Sequence, residues 1–131
     1  MTCNCKEKRK TILIVEDDLA VCEILGKMLS KQGYCTLKAE SGKQAIRMST
    51  SSQLDLVVLD LNLPDIEGLE VLKHIKAQKQ NIPVIIVTAY GSREIVRSAM
   101  EIGAFDFLTK PFDVHHICAV IKEALTSQAA A

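Results

Sequence analysis

The sequence has no net charge. Sixteen basic residues cancel sixteen acidic ones, so no global field draws the chain toward nucleic acid or an anionic membrane surface. Any function that depends on charge must be local. There is no apolar run of about 18 residues, the length a membrane-spanning helix needs. Lys6, Lys8, Arg9 and Lys10 have no apolar signal-peptide segment behind them, and a cytoplasmic location is expected. Apart from Ala129-Ala130-Ala131 there is no low-complexity segment, and there is no internal repeat or linker. Five cysteines cannot all pair with one another. Cys22, Cys35 and Cys118 fall inside predicted helices or strands and are expected as free thiols that pack like small hydrophobes, which suits a reducing compartment. Cys3 and Cys5 make a C-x-C without a second pair, a poor metal signature.

What is present is enough for one packed core. The chain has 131 residues, 48% hydrophobic and 24% charged, the size and balance of a single globular domain. Residues 1–9 are expected as a disordered tail, 10–127 as the domain, and 128–131 as a tail or the start of a linker. Short apolar runs at 11–15, 34–39, 56–59, 82–87 and 104–108 alternate with stretches of helical periodicity, the pattern of a parallel sheet built from βαβ units. Ile12-Leu13-Ile14-Val15, Leu56-Val57-Val58-Leu59 and Val84-Ile85-Ile86-Val87 are continuously apolar, as central strands covered on both faces should be. The other two runs are mixed and belong at the edges.

Val21, Ile24, Leu25, Met28 and Leu29 trace the apolar stripe of a first helix, with Gly33 at its C-terminal stop. Val114, Ile117, Cys118, Ile121, Ala124 and Leu125 trace the fifth, with Asp113 as its N-cap. Helices at about 41–51, 67–78 and 92–102 complete the set. The predicted fold is α/β, a flavodoxin-like doubly wound (βα)5 sandwich with a five-stranded parallel sheet of order 2-1-3-4-5. Right-handed crossovers then collect the C-terminal ends of all strands along one edge.

That edge carries the chemistry. The first run ends in Glu16-Asp17-Asp18, the third in Asp60, the fourth in Thr88, and the fifth is followed by Lys110-Pro111. A lone aspartate after a strand is usually a helix N-cap, and either Asp17 or Asp18 suits that role. Capping does not account for the joint placement of an acidic pair, an aspartate, a hydroxyl and a Lys-Pro on successive strand ends. The first and third strands are neighbours, so Asp60 should face Glu16 and Asp17. Three partly desolvated carboxylates repel one another unless a cation holds them ionised. Oxygen donors with two or three carboxylates suit Mg²⁺, which keeps waters and completes its shell with phosphoryl oxygens; Mn²⁺ can take its place. A sharp turn from the fifth strand that aims Lys110 back at Asp60 makes the Lys110–Pro111 bond an expected cis peptide.

With Ile12 to Asp18, Leu59-Asp60-Leu61-Asn62-Leu63-Pro64-Asp65 with Gly68, Val87-Thr88-Ala89-Tyr90 and Phe107-Leu108-Thr109-Lys110-Pro111-Phe112, the sequence resembles the receiver domain of bacterial two-component response regulators. The resemblance runs from about Lys10 to Thr126. Thr88-Ala89-Tyr90-Gly91-Ser92 and 103–108 look like the receivers of nitrogen-regulator-type enhancer-binding activators. The resemblance implies that Asp60 accepts a phosphoryl group from a histidine kinase or phosphotransfer protein. It implies that Asp17, Asp60 and the Asn62 backbone carbonyl ligate Mg²⁺, with Glu16 acting through water. Thr88 and Lys110 would bind phosphoryl oxygens, and Thr88 and Phe107 would form the switch. The fourth helix, fifth strand and fifth helix would form the output surface and a homodimer contact. Two positions depart from the common pattern: Glu16, where many members have Asp, and Phe107, where others have Tyr. Nucleic acid would be reached only through an output domain of a longer chain, and no membrane partner is expected.

Asp60 is already ionised, so its attack on phosphorus needs charge neutralisation and no general base. Asn62 and Tyr90, each two residues past a site residue, stand where they would admit or exclude the hydrolytic water and so set the phosphoryl lifetime. The protein is thus expected to phosphorylate and dephosphorylate itself without turning over an external substrate. The rival from another class is an aspartyl-phosphate phosphatase or hydrolase; its acid/base aspartate would stand at Asn62, which cannot transfer protons in that way. A nucleotide or flavin carrier lacks a glycine-rich loop after the first strand, and Ser41-Gly42-Lys43 is not a Walker motif. A non-phosphorylated pseudo-receiver would not need every phosphorylation position filled.

Overall fold

A computed structural model describes residues 9–130 other than 52, 80 and 90, and of 51 and 127–130 the backbone alone. The expected tail 1–9 and the Cys3/Cys5 pair thus fall, except for Arg9, outside the described residues, as does Tyr90. Five strands and five helices alternate: β1 Thr11–Val15, α1 Leu19–Lys31, β2 Cys35–Ala39, α2 Gly42–Ser51, β3 Leu56–Leu59, α3 Gly68–Gln78, β4 Val84–Thr88, α4 Arg93–Ile102, β5 Asp106–Thr109 and α5 Val114–Ala130. All strand pairs are parallel, in the order β2-β1-β3-β4-β5. The mixed strands are the edges, because only a strand with neighbours on both sides and helices on both faces has no position for a polar side chain.

Alternation along the strands divides the core into two layers. Ile12, Ile14, Leu56, Val58, Ile85, Val87 and Leu108 pack against α1 and α5. Leu13, Val15, Val57, Leu59, Val84 and Ile86 pack against α2, α3 and α4. Among the described residues no helix is long and apolar enough to cross a membrane.

The structure corrects several details of the sequence reading. Ile24 and Val114, assigned to buried stripes, are 55% and 39% exposed. The buried face of α1 is instead Cys22, Leu25, Gly26 and Leu29, and α5 turns Ile117, Val120, Ile121 and Ala124 inward. β4 and β5 each begin two residues later than their apolar runs. In the second case the reason is that Ala104 donates back to the Ala99 carbonyl at 3.0 Å and still belongs to the close of α4, where Gly103 takes a φ of 127°. Asp18, not Asp17, caps α1, accepting from the Ala20 and Val21 amides. Asp113 accepts from the His115 amide at 2.8 Å as the cap of α5, as expected, and that helix continues to Ala130. Cys22 and Cys118 are free thiols; Cys35, expected to be free, is disulfide-bonded.

The connection from β3 to α3 positions the site and is closed tightly. The Gly68 amide donates to the Leu61 carbonyl at 3.1 Å, and a Cβ at Gly68 would lie 2.3 Å from the Leu61 Cα. Since the clash is with backbone, Gly68→Ala must displace the loop itself. A loss of about 3 kcal/mol is expected, the upper end of the cost of overpacking, read as a lowered urea midpoint at unchanged slope.

Candidate phosphoacceptor site

The sheet ladder runs one residue past its central strands, and this sets the site. Glu16 donates its amide to the Ala39 carbonyl, Asp60 to that of Val15 and Lys110 to that of Thr88, at 3.0, 3.0 and 2.9 Å. Glu16, Asp60 and Lys110 thus stand directly after β1, β3 and β5, while Phe107 packs on the core layer that holds Ala99 of α4.

Glu16, Asp17 and Asp60 bring one carboxylate oxygen each within 4.8 Å of the others. Glu16 and Asp60 are buried and Asp17 is exposed, so the cluster opens to solvent on one side. Lys110 bridges the buried pair, with Nζ 2.6 Å from Glu16 Oε1 and 3.0 Å from Asp60 Oδ2. The Asn62 amide donates to Asp60 Oδ1 at 3.0 Å, and the Asp18 amide to Glu16 Oε2 at 3.2 Å. Every carboxylate oxygen of Glu16 and Asp60 therefore has a donor, as buried charge requires.

Burial pushes the Glu16 carboxyl up to about 7, against the hydrogen bonds from Lys110 and the Asp18 amide, with Asp60 adding repulsion. Burial works to lower the Lys110 ammonium, but its bonds to Glu16 and Asp60 outweigh it and hold the group above the usual lysine value. The site is a cluster of excess negative charge balanced by one ammonium, and an all-oxygen donor set of this kind fits a hard divalent cation.

Other expected site residues fall as follows. Thr88 ends β4 fully buried. Phe107, at the level of Ile86 in the register, is half-buried; its Cε1 would be 2.7 Å from a Cβ placed on Gly91, so the ring lies over the loop entering α4. The Lys110–Pro111 bond is cis. Asn62 is exposed beside Asp60, and Tyr90 lies outside the described residues.

One residue was given no role in the sequence: Asp65, which enters there only as the last residue of Leu59-Asp60-Leu61-Asn62-Leu63-Pro64-Asp65. The Asp65 carboxylate accepts from the Gly42 amide at 2.8 Å, the Lys43 amide at 3.0 Å and the Ile66 amide at 2.9 Å. Ser41 caps α2 locally, its hydroxyl accepting from the Gln44 amide at 3.2 Å, which leaves the Gly42 and Lys43 amides for an acceptor from elsewhere.

The geometry agrees with what the chain is similar to. Residues 12–122 match the model of the response regulator receiver domain. Sporulation initiation phosphotransferase F of Bacillus subtilis (strain 168) is 40% identical over 114 residues, covering 87% of this chain and 92% of the relative. The transcriptional regulatory protein ZraR of Escherichia coli (strain K12) is also 40% identical over 114 residues, but there the chain spans only 26% of the relative's length. A crystal structure of a CheY-like receiver domain protein from Methanospirillum hungatei JF-1 superposes with a TM-score of 0.92 at 30% identity, covering 93% of this chain and 98% of that one. With a five-stranded sheet in the expected order, and Glu16, Asp17, Asp60, Thr88 and Lys110 gathered at its C-terminal edge, the chain belongs to the response regulator receiver domain family.

Proposed function

We propose that Asp60 is the phosphoacceptor of a two-component phosphorelay, with a phosphohistidine on a sensor kinase or phosphotransfer protein as donor. The observation that carries this reading is the Asp60 carboxylate itself: buried, bonded at one oxygen by Lys110 and at the other by the Asn62 amide, and flanked by two further carboxylates. An Asp60 oxygen forms the bond to phosphorus as the donor's P–N bond breaks, the electron pair staying on the donor imidazole and the product being an acyl phosphate. Lys110 stabilises the charge gathering on the transferred oxygens, and the Asn62 amide holds the other carboxylate oxygen in place. Asp17, Asp60 and the Asn62 carbonyl would hold Mg²⁺, with Glu16 acting through water; when bound, Mg²⁺ neutralises the carboxylates and the incoming phosphoryl oxygens. Glu16 enters this arrangement already paired with Lys110, and its raised pKa gives it a second way of limiting the negative charge before the phosphoryl group arrives.

The output follows from Thr88 and Phe107. A Thr88 hydroxyl drawn toward the phosphoryl group vacates volume beside α4, and Phe107 turns further into it. The ring is half-buried at the start, so the gain is a part of the roughly 1.5–3 kcal/mol that full burial provides. That is still enough to shift a two-state equilibrium several-fold. The surface of α4, β5 and α5 then becomes the contact for a second copy or an output partner. Addition of a beryllium fluoride mimic is expected to raise the sedimentation coefficient and move α4 resonances in the unmodified protein. Thr88→Ala is expected to bind the mimic without either change.

The test of the function is incubation with a small-molecule phosphodonor and Mg²⁺, followed by intact mass. Gain of one phosphoryl group that chelation prevents is the expected outcome; no gain at any Mg²⁺ concentration would count against the reading.

A further inference from the structure

We propose that Asp65 is a positioning residue for the Asp60 site: by capping α2 from the loop after β3, it holds the segment that carries Asn62 in the geometry the metal needs. The inference rests on the phosphoacceptor reading and extends it to a residue outside the charged cluster.

Three observations carry it. The first two amides of α2, Gly42 and Lys43, both point at the Asp65 carboxylate, one to each oxygen, at 2.8 and 3.0 Å. A helix N-terminus is a ready anion site, and here the chain fills it with its own carboxylate from 23 residues away. The seat is close-fitting as well: a Cβ on Gly42 would lie 3.3 Å from Asp65 Oδ1, 3.1 Å from the Ile66 Cβ and 2.9 Å from Val71 Cγ2. Finally, the loop between Asp60 and α3 has just two other ties among those described. One is the Asn62 amide on Asp60 itself; the other is the closure of Gly68 on Leu61. Between them Asn62, Leu63 and Pro64 have no other described bond, so Asp65 fixes the far end of the span whose carbonyl is needed at the site. The Lys43 amide, with those of Gly42 and Ile66, also holds the Asp65 carboxyl below its usual value despite its exposure, which keeps it ionised.

A ligand is held in place by what supports it, and loss of a supporting partner typically costs 10–100-fold in metal affinity. Asp65→Ala should weaken Mg²⁺ binding about ten-fold, the lower end of that range, because the amide tie at Asp60 remains. Mg²⁺ titration calorimetry on the unphosphorylated protein reads this directly. Hydrogen exchange at Gly42, Lys43 and Ile66 should speed up in the same variant.

Two further variants separate position from charge. Asp65→Asn keeps one acceptor oxygen, for the Gly42 and Ile66 amides, without the charge and should recover part of the affinity. Asp65→Glu keeps the charge on a longer arm and should behave like the alanine variant. If Asp65→Ala binds Mg²⁺ as the unmodified protein does while the three amides exchange faster, Asp65 is only a cap and the proposal falls. It falls also if Glu restores binding and Asn does not, since the effect is then one of field. Should Asp65→Ala not fold, the Asn and Glu variants decide between these outcomes. The phosphoacceptor reading fails separately, by absence of phosphoryl uptake in the unmodified protein, which the Mg²⁺ titration does not measure.

Discussion

Asp60→Asn is expected to take up no phosphoryl group from a small-molecule donor at any Mg²⁺ concentration, while folding as well as the unmodified chain. The two halves of the expectation come from the same contacts. An amide at position 60 has a carbonyl oxygen to accept from either Lys110 or the Asn62 amide, the partners of the carboxylate at 3.0 Å each. It also removes one of two buried like charges, which relieves the repulsion that helps raise Glu16. The fold therefore loses little, and chemical denaturation in the absence of Mg²⁺ should give a midpoint no lower than that of the unmodified protein. The nucleophile is lost outright, because a neutral amide oxygen does not attack phosphorus to give an acyl phosphate. Neither remaining carboxylate is as well suited to take over: burial pushes the Glu16 carboxyl up to about 7, which leaves it a poorer nucleophile at neutral pH, and Asp17 lies on the open side of the cluster. Intact mass after incubation checks the outcome. A phosphorylated Asp60→Asn protein would move the acceptor to another residue.

Much of this site was legible before any coordinates, because topology does most of the work. Once three runs read as central strands, right-handed crossovers bring the residues after them to one edge, and Glu16, Asp17, Asp60, Thr88 and Lys110 follow from counting. What counting misses is contact between side chains far apart in the chain. Lys110 and Glu16 are 94 positions apart, and nothing in either local sequence says that the ammonium bridges Glu16 as well as Asp60. Asp65 escaped for a similar reason: the helix it caps precedes it by 22 positions, whereas capping signals are sought next to the helix they serve. The errors in the fold have a different origin. Ile24 and Val114 are apolar residues at the border of a buried stripe, and periodicity alone cannot tell a border position that packs from one that meets solvent. Ile82 and Ala104 are buried like strand residues but belong to the chain entering the strand, where burial precedes ladder pairing.

Lys110→Met is expected to lower stability in the absence of metal by about 2 kcal/mol and, unlike a generally disruptive substitution, to tighten Mg²⁺ binding. Methionine keeps the apolar stem and removes the charge, so the change isolates the bridge at 2.6 and 3.0 Å. Breaking a buried pair by deleting one partner typically costs about 3–5 kcal/mol; the lysine side chain keeps 20% of its exposure, and solvent screening brings the figure down. The lost ammonium leaves Glu16 and Asp60 facing one another with their amide donors alone. The same vacancy of charge favours an incoming cation, because Lys110 competes for the Asp60 oxygens that a divalent ion would use. At separations of a few ångströms, removal of that competing charge is worth on the order of ten-fold in affinity. Denaturation with and without MgCl₂ should therefore show the deficit of Lys110→Met shrinking as Mg²⁺ saturates the site, with titration calorimetry giving the tighter binding directly. Phosphorylation should nevertheless be slower, since the transferred oxygens have lost their ammonium partner. If the variant is as stable as the unmodified protein without metal, or binds Mg²⁺ more weakly, Lys110 is not the internal counter-ion of the two buried carboxylates.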